Sequence, residues 1–281
     1  MALPNRTYMM AMAPGSLPLT GERTVPGVPA ENYWFRRHEA AYAYAVRFAD
    51  GIRVLEVGCG EGYGTARLAA VASRVVGVDY DALTVEHARA AYPQVSFVRA
   101  NLAALPFSAA SFAAVATLQV IEHVWDHREF LTECLRVLEP GGVLLVTTPN
   151  RLTFSPGLEQ PVNPFHTKEF TATELVELLE TSGYEIVQVA GLFATARLQA
   201  MDRRHRGSFV AAQLDASPDD WSVALRSDVA SVSIADFQIV SPGERRAVVL
   251  GAAGVDGTGV DGSAAGIDES LDIVVIARRP R

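Results

Sequence analysis

The sequence predicts an α/β protein whose sheet is doubly wound, mostly parallel and seven-stranded, with helices on both faces and an insertion before the last strand. From residue 51 onward, short β-branched segments alternate with amphipathic helical segments. Such alternation is typical of parallel strands joined by crossover helices. The first strand runs into a glycine-dense turn and the second ends in Asp79. In such a sheet both features lie at the edge where ligands bind.

The predicted strands are apolar segments bounded by turn residues. They cover residues 53–57, 74–79, 95–98, 113–118, 143–147, 185–189 and 271–276. The predicted helices have one apolar face and end at glycine or proline. They cover residues 31–48, a segment that begins at residue 65, residues 127–138, and a segment from the capping box Thr171-x-x-Glu174 to Gly183.

The chain divides into four predicted parts. Residues 1–50 form an arm and a helix, and residues 51–190 form a core of alternating strands and helices. Residues 191–267 form an insertion, and residues 268–281 carry the final strand. Within the insertion, residues 194–214 are predicted to be helical, whereas the Gly-, Ala- and Asp-rich residues 251–266 predict a mobile loop.

Composition and charge exclude several classes of protein. The 281 residues are 49% hydrophobic, which supports a large core, and the net charge of −8 argues against a nucleic-acid partner. Cys59 and Cys134 form no disulfide framework, so a reducing cytoplasm is expected. No apolar run is long enough to span a membrane. The oligomeric state stays open, a homodimer included.

The turn after the first strand has the pattern Glu56-x-Gly58-x-Gly60-x-Gly62. Bare backbone N–H groups in such a turn, just before a helix, can approach a ligand closely. No register of these glycines fits the G-x-G-x-x-G pattern of dinucleotide folds, because a larger residue stands at the third position. An acidic residue at the tip of the second strand, here Asp79, is suited to bind ribose hydroxyls.

This pattern resembles the first motif of class I S-adenosylmethionine-dependent methyltransferases. The resemblance implies their Rossmann-like fold, with residues 51–190 as the cofactor-binding core, and S-adenosylmethionine as the cofactor. It also implies that the insertion at residues 191–267 recognises the acceptor. It implies that the glycines contact the methionine part and ribose, and that Tyr80 and Leu102 contact the adenine. Asn101 stands where the family usually has Asp, and its amide oxygen can receive the adenine amino group. The cofactor-binding residues implied for the core are Glu56, Gly58, Gly60, Gly62, Asp79, Tyr80, Asn101, Leu102 and Gln119.

The helix over residues 31–48 begins with three aromatic residues and two arginines. The aromatic residues could form an ordinary core-facing surface. Alternatively, this helix is the lid, in which Arg36 or Arg37 pairs with the methionine carboxylate and Tyr33 shields the site from water. We retain Tyr33 and Arg37 as candidate cofactor-binding residues.

The segment 119–124, Gln-Val-Ile-Glu-His-Val, resembles the fourth motif of the branch that methylates diverse small metabolites. Methyl transfer to an alcohol needs a base, and histidine suits that task. Glu122 and His123 are therefore candidate catalytic residues. His166 is the rival, as a base, an acceptor contact or a loop anchor. Other histidines, such as His38, are expected to be surface or helix residues. No metal site is predicted, because no ligand group has convincing spacing, and Mg²⁺ stays an open option.

Several segments go beyond the general motifs and resemble actinobacterial, especially mycobacterial, methyltransferases associated with methylglucose lipopolysaccharide. They are residues 19–24, 31–38, 148–157, 163–167 and 268–272. This resemblance implies O-methylation of a sugar hydroxyl in an oligosaccharide, with Trp34 or Trp125 able to stack on a pyranose ring. The alternatives are a methyltransferase for a quinone, lipid or other small metabolite, or a non-catalytic cofactor-binding module.

Overall fold

A computed structural model describes residues 23–205, 207–242 and 266–281. Its central feature is one sheet of eight strands. These are β1 (Arg53–Val57), β2 (Arg74–Asp79), β3 (Ser96–Arg99), β4 (Phe112–Leu118), β5 (Leu138–Pro149), β6 (Glu185–Ala194), β7 (Phe237–Val240) and β8 (Asp272–Arg278). Their order is β3-β2-β1-β4-β5-β8-β6-β7. Strands β1 to β5 pair in parallel, whereas β8 pairs antiparallel with both β5 and β6.

The predicted fold class is confirmed, but the sheet has an additional strand, and β5 and β6 are longer than predicted. An additional strand, β7, lies at the sheet edge and pairs antiparallel with β6. It has four residues inside the insertion, too few for a period-two pattern to stand out. Strand β5 begins at Leu138, earlier than predicted, because Pro140 and the two glycines after it continue the strand past an irregularity.

The helices are α1 (Asn32–Ala45), α2 (Tyr63–Ala69), α3 (Ala82–Ala91), α4 (His127–Val137), α5 (Arg151–Phe154), α6 (Ala172–Thr181), α7 (Ala196–Arg204), α8 (Phe209–Leu214) and α9 (Val223–Ser231). The predicted capping box at the start of α6 is present, with Thr171 and Glu174 each bonding the other's backbone. The predicted arm before residue 23 and most of the predicted loop at 251–266 lie outside the described residues.

Apolar side chains cover both faces of the sheet. Alternate residues of β1 point to opposite sides, so Leu55 packs with α4 and α6 while Val54 packs with α1, α2 and α3. A third cluster joins α1 to the insertion through Tyr33, Phe209 and Leu225. The N-terminal helix is thus part of the packed fold. In the described part of the chain, no helix has the length and apolarity that a bilayer span requires.

Candidate active site

A cleft of about 670 Å³ lies where β1, β2 and β4 end. This is the edge at which ligands bind in open parallel sheets. Its lining residues all lie between residues 23 and 167, so none comes from the insertion. Most of the residues predicted from the sequence line this cleft. They are Gly58, Gly60, Asp79, Tyr80, Asn101, Leu102, Gln119, His123 and His166.

The three glycines of the turn have different structural roles. A Cβ added at Gly58 would lie 2.4 Å from the Val120 side chain, and one at Gly62 would lie 2.9 Å from Phe97. Those two positions therefore allow close packing, and Gly62 does not line the cleft. A Cβ at Gly60, where φ is +49°, would meet nothing within 4 Å. The turn thus leaves open space at Gly60, into which the cleft extends.

We expect Gly60→Ala to fold and to bind the ligand of this cleft at least about tenfold more weakly, since the new methyl group would occupy ligand space. The left-handed backbone at position 60 adds about 1–2 kcal/mol of strain. In contrast, Gly58→Ala should lower stability by a further ~1–3 kcal/mol through its clash with Val120. Urea denaturation and calorimetric binding separate the two effects. A Gly60→Ala protein that binds like the wild type would contradict this assignment.

Asp79 is fixed at the tip of β2 by two backbone donors. Its Oδ2 accepts from the Gly60 N–H at 2.9 Å and its Oδ1 accepts from the Asp81 N–H at 3.1 Å. Burial raises the pKa of Asp79, although both N–H groups act in the opposite direction. The turn and the carboxylate are therefore held together, as a site for vicinal hydroxyls requires. Tyr80, next in sequence, is 58% exposed at the cleft.

Polar residues that follow strands β3 and β4 also line the cleft. Asn101 is exposed, and its Oδ1 accepts from the Ala103 N–H at 2.9 Å, with Leu102 beside it in the cleft lining. Gln119 has a φ of +58°, which is unfavourable for a side-chain-bearing residue. Its N–H and its Nε2 donate to the carbonyl and hydroxyl of Thr147, at 2.8 and 3.2 Å. Strained backbone of this kind is concentrated at functional sites.

Glu56 does not line the cleft, which corrects its predicted place against the cofactor. It is fully buried behind the turn, where the Tyr42 hydroxyl donates to Oε1 at 2.5 Å and the Thr65 hydroxyl donates to Oε2. Burial raises the pKa of Glu56 to about 7. Gly64 permits this arrangement, because a Cβ there would lie 2.0 Å from the Tyr42 ring. Glu56 thus links β1 to α1 and α2.

Tyr33 and Arg37 also lie outside the cleft lining, so the structure does not place them as lid residues. Tyr33 is 2% exposed and packs its ring against Phe209, with centroids 5.4 Å apart. Arg37 donates to both carboxylate oxygens of Asp272, at 2.8 and 2.5 Å, and to the Leu271 carbonyl at 2.5 Å. Tyr33 and Arg37 lie outside the cleft because their face of α1 is buried against β8 and the insertion.

An adjacent face of α1 reaches the cleft, and this was not predicted from the sequence. His38 lines the cleft, and the Tyr63 hydroxyl lies 3.3 Å from its Nδ1. Thr24 bonds the same hydroxyl at 3.2 Å, and Arg23 lies beside it in the lining. His38 is a helix residue, as expected, and burial lowers its pKa to about 4. The four-residue spacing of His38 and Tyr42, which places both on one helix face, could have indicated that they reach the same cleft.

Glu122, His123 and His166 form one cluster, which we call the imidazole cluster. The two rings are 4.8 Å apart between centroids. His123 Nδ1 lies 3.0 Å from the Phe165 carbonyl oxygen. His166 Nδ1 lies 2.8 Å from Glu169 Oε1. Residues predicted as rival bases are therefore neighbours.

Glu122 lies beneath the cleft lining rather than in it. Its side chain is almost fully buried, and the Thr148 hydroxyl donates to its Oε2 at 2.9 Å. Burial raises the pKa of Glu122 to about 7, whereas burial and the nearby His166 lower the pKa of His123 to about 4. His123 is therefore uncharged at neutral pH. Because a carbonyl can only accept, its Nδ1 carries the proton and its Nε2 keeps a lone pair.

Fold and site together define a doubly wound α/β protein with a glycine turn and a fixed carboxylate at one end of its cleft and a carboxyl–imidazole cluster at the other. A family model described as "Methyltransferase domain" matches residues 55–146. A "Probable S-adenosylmethionine-dependent methyltransferase" from Mycolicibacterium smegmatis is 50% identical over 269 residues, covering 95% of this chain and 97% of its own length. One of the same description from Mycobacterium tuberculosis is 46% identical over 270 residues, covering 95% and 92%.

Two more distant matches are also described as methyltransferases. A ubiquinone biosynthesis O-methyltransferase from Methylocella silvestris is 34% identical over 112 residues, covering 38% of this chain and 44% of its own length. The crystal structure of a Thermotoga maritima methyltransferase, titled a possible histamine N-methyltransferase, superposes with a TM-score of 0.55 at 18% identity, covering 88% of this chain and 93% of that one. This likeness concerns the fold alone.

The chain belongs to the S-adenosylmethionine-dependent methyltransferase family, and S-adenosylmethionine is its cofactor. The predictions of enzyme class and cofactor are confirmed. The open space at Gly60 and the carboxylate of Asp79 beside it fit a ribose-bearing ligand.

Proposed function

We propose that this methyltransferase acts on a hydroxyl oxygen of a sugar in an oligosaccharide or polysaccharide precursor. The observation that carries the proposal is Trp125, whose side chain is 88% exposed although it lines the cleft. An exposed indole face two residues from His123 offers a stacking surface for a pyranose ring beside the imidazole cluster. Phe165, 39% exposed, extends this apolar surface. These groups, rather than the insertion, are the acceptor contacts that we propose.

The cofactor supplies a methyl group bound to a positively charged sulfur, which is susceptible to in-line displacement. The residues of the protein then have to position the acceptor oxygen and to accept its proton. We propose that Asp79 and the turn at Gly58 and Gly60 hold the nucleoside, with Tyr80 and Leu102 near its base. Acceptor oxygen and reacting methyl group would meet near Gln119, between the nucleoside side of the cleft and His123.

The imidazole cluster would activate the hydroxyl. His123 presents an uncharged ring whose Nε2 lone pair can take a proton, because its Nδ1 proton is donated to the Phe165 carbonyl. His166 is held at both nitrogens, with Glu169 at Nδ1 and the Asn163 amide 3.1 Å from Nε2. His123 is accordingly the first candidate for a base, and His166 the candidate for positioning it.

A second candidate function is O-methylation of a quinone, lipid or other small metabolite. It is supported by the match to a ubiquinone biosynthesis O-methyltransferase, which covers 38% of this chain. A non-catalytic cofactor-binding module is the third alternative. It would have no use for an imidazole cluster beside the cofactor.

The test is methyl transfer from cofactor labelled in the methyl group to maltooligosaccharides, mannosides, quinones and a buffer blank. We expect label in a sugar product. Trp125→Ala should raise the KM for that sugar about tenfold with little change in kcat, since ~60 Å² of ring burial contributes about 1.5 kcal/mol. Val223→Ala is the matched control, because Val223 is 82% exposed and does not line the cleft.

Label only in a quinone would favour the second candidate and contradict the sugar proposal. Tight cofactor binding with no labelled product in any arm would favour the non-catalytic module. An unchanged KM for the sugar in Trp125→Ala would contradict the proposal that the Trp125 indole stacks on the sugar ring.

A further inference from the structure

We propose that Glu122, His123 and His166 bind a divalent first-row transition-metal ion, with Mn²⁺ or Zn²⁺ favoured over Mg²⁺, and that this ion holds the acceptor hydroxyl. The catalytic use rests on the function proposed above, whereas the site itself rests on geometry. One ligand atom from each residue lies within 4.8 Å of the other two. With bonds of ~2.1 Å, opposed ligands of one ion are about 4.2 Å apart, so small side-chain rotations close the site.

The orientation of both rings supports the proposal. Metal-binding histidines in proteins usually donate their other ring N–H to a carbonyl or a carboxylate, which fixes the tautomer and the ring plane. His123 makes such a bond from Nδ1 to the Phe165 carbonyl at 3.0 Å, and His166 makes one from Nδ1 to Glu169 at 2.8 Å. In both rings Nε2 is therefore the atom that would bind an ion. Two histidines of one cluster share this arrangement.

Asn163 occupies the Nε2 position of His166 in this structure. Its Nδ2 lies 3.1 Å from that nitrogen, and its Oδ1 accepts from the Phe165 N–H at 3.0 Å, which fixes the direction of the amide. Ion binding therefore has to displace one amide N–H from a ring nitrogen.

A cation at the cluster would stabilise the ionised form of Glu122. Its carboxylate is 1% exposed, and none of the ion pairs formed among the described residues includes it. Its side chain is bonded to the Thr148 hydroxyl at 2.9 Å. A buried carboxylate is unfavourable unless it is paired or coordinates a cation. An ion at the imidazole cluster would supply that charge.

The donor set selects the kind of ion. Two imidazole nitrogens with one carboxylate suit first-row transition metals, whereas Mg²⁺ prefers an all-oxygen shell. The ion would bind the acceptor oxygen and lower the pKa of its hydroxyl group. The proton then leaves to water as the new C–O bond forms and the C–S bond of the cofactor breaks, with its electron pair passing to sulfur. In that state His123 Nε2 is a ligand, and water takes the proton in its place.

The experiment uses the full chain after chelator treatment and dialysis. Calorimetric titration with Mn²⁺, Zn²⁺ and Mg²⁺ should give one site per chain for the first two ions and much weaker binding of Mg²⁺. Co²⁺ should give visible absorption bands that report nitrogen ligands. His123→Ala and His166→Ala should each weaken binding about 100-fold or more, and Glu169→Gln about 10–100-fold, because Glu169 orients the His166 ring.

His205→Ala is the matched control, since His205 also pairs with a carboxylate, Asp228 at 2.9 Å, but lies in the insertion away from the cleft. Binding of S-adenosylhomocysteine to each variant reports whether its fold is intact. Absence of Mn²⁺, Zn²⁺ and Co²⁺ binding to the wild type would overturn the site. So would equal ion affinity in the wild type and in folded His123→Ala and His166→Ala.

Ion binding and methyl transfer are separate readouts, so the two proposals can fail separately. Metal-free enzyme that methylates a sugar at the full rate would overturn the catalytic use of the ion and leave the proposed function standing. Ion binding through these three residues, without any labelled sugar, would leave the site standing and overturn the proposed function.

Discussion

Arg37→Ala is expected to lower the free energy of unfolding by about 3–5 kcal/mol while leaving cofactor affinity unchanged in the folded protein. The side chains of Arg37 and Asp272 are 4% and 1% exposed, and the guanidinium binds both carboxylate oxygens. Truncation leaves the Asp272 carboxylate buried without its cation, and this uncompensated charge is the source of the loss. Urea denaturation gives the stability, and calorimetry with S-adenosylhomocysteine gives the affinity.

Arg36→Ala is the neighbouring control. Arg36 pairs with Glu39 at 2.7 Å, but its side chain is 37% exposed, so a change of about 0–1 kcal/mol is expected. Arg37→Met combined with Asp272→Leu should recover much of the lost stability, because both charges then leave the interior. An Arg37→Ala protein of wild-type stability that no longer binds the cofactor would restore the lid hypothesis for this residue.

Asp79→Ala is expected to weaken cofactor binding more than 100-fold. Two ribose hydroxyls donating to a carboxylate contribute about 1.5–3 kcal/mol each, and 1.4 kcal/mol corresponds to a factor of ten. Asp79→Asn, which keeps the volume but not the charge, should weaken binding at least about tenfold. Calorimetric titration with S-adenosylmethionine measures both effects.

Asp50→Ala serves as the control, since Asp50 is exposed and does not line the cleft. The Gly60 and Asp81 N–H groups lose a partner in Asp79→Ala, so thermal unfolding of each variant has to accompany the titrations. Wild-type affinity in a folded Asp79→Ala protein would contradict the assignment of Asp79 to the ribose.

The half of the cleft that we propose for the nucleoside was predictable because its residues are contiguous with the strands that carry them. Gly58, Gly60 and Asp79 follow directly from the ends of β1 and β2, and a parallel sheet places those ends together. His123 and His166 were also predicted from the sequence, although as rivals. Their mutual contact depends on the course of residues 163–169, which no periodic pattern describes.

The misplaced residues have a different cause. Residues 32–45 are identified as a helix by their pattern, but which face meets the sheet depends on partners far along the chain. Arg37 turns inward because Asp272 lies in β8, and Tyr33 because Phe209 lies in α8. Helical periodicity alone identifies neither of these partners. Glu56 was misplaced for the same reason, since Tyr42 and Thr65 retain it behind the turn.

The position of β8 between β5 and β6 has a consequence for how the protein matures during translation. Arg37 is synthesised 235 residues before its ionic partner Asp272. At about 5–20 residues per second, the ribosome needs roughly 12–50 s to cover that interval. Throughout it the nascent chain carries an unmatched cation at Arg37, and β5 and β6, once they are synthesised, lack the strand that joins them. Chaperone dependence and cotranslational aggregation should accordingly be governed by the late arrival of the carboxyl-terminal strand.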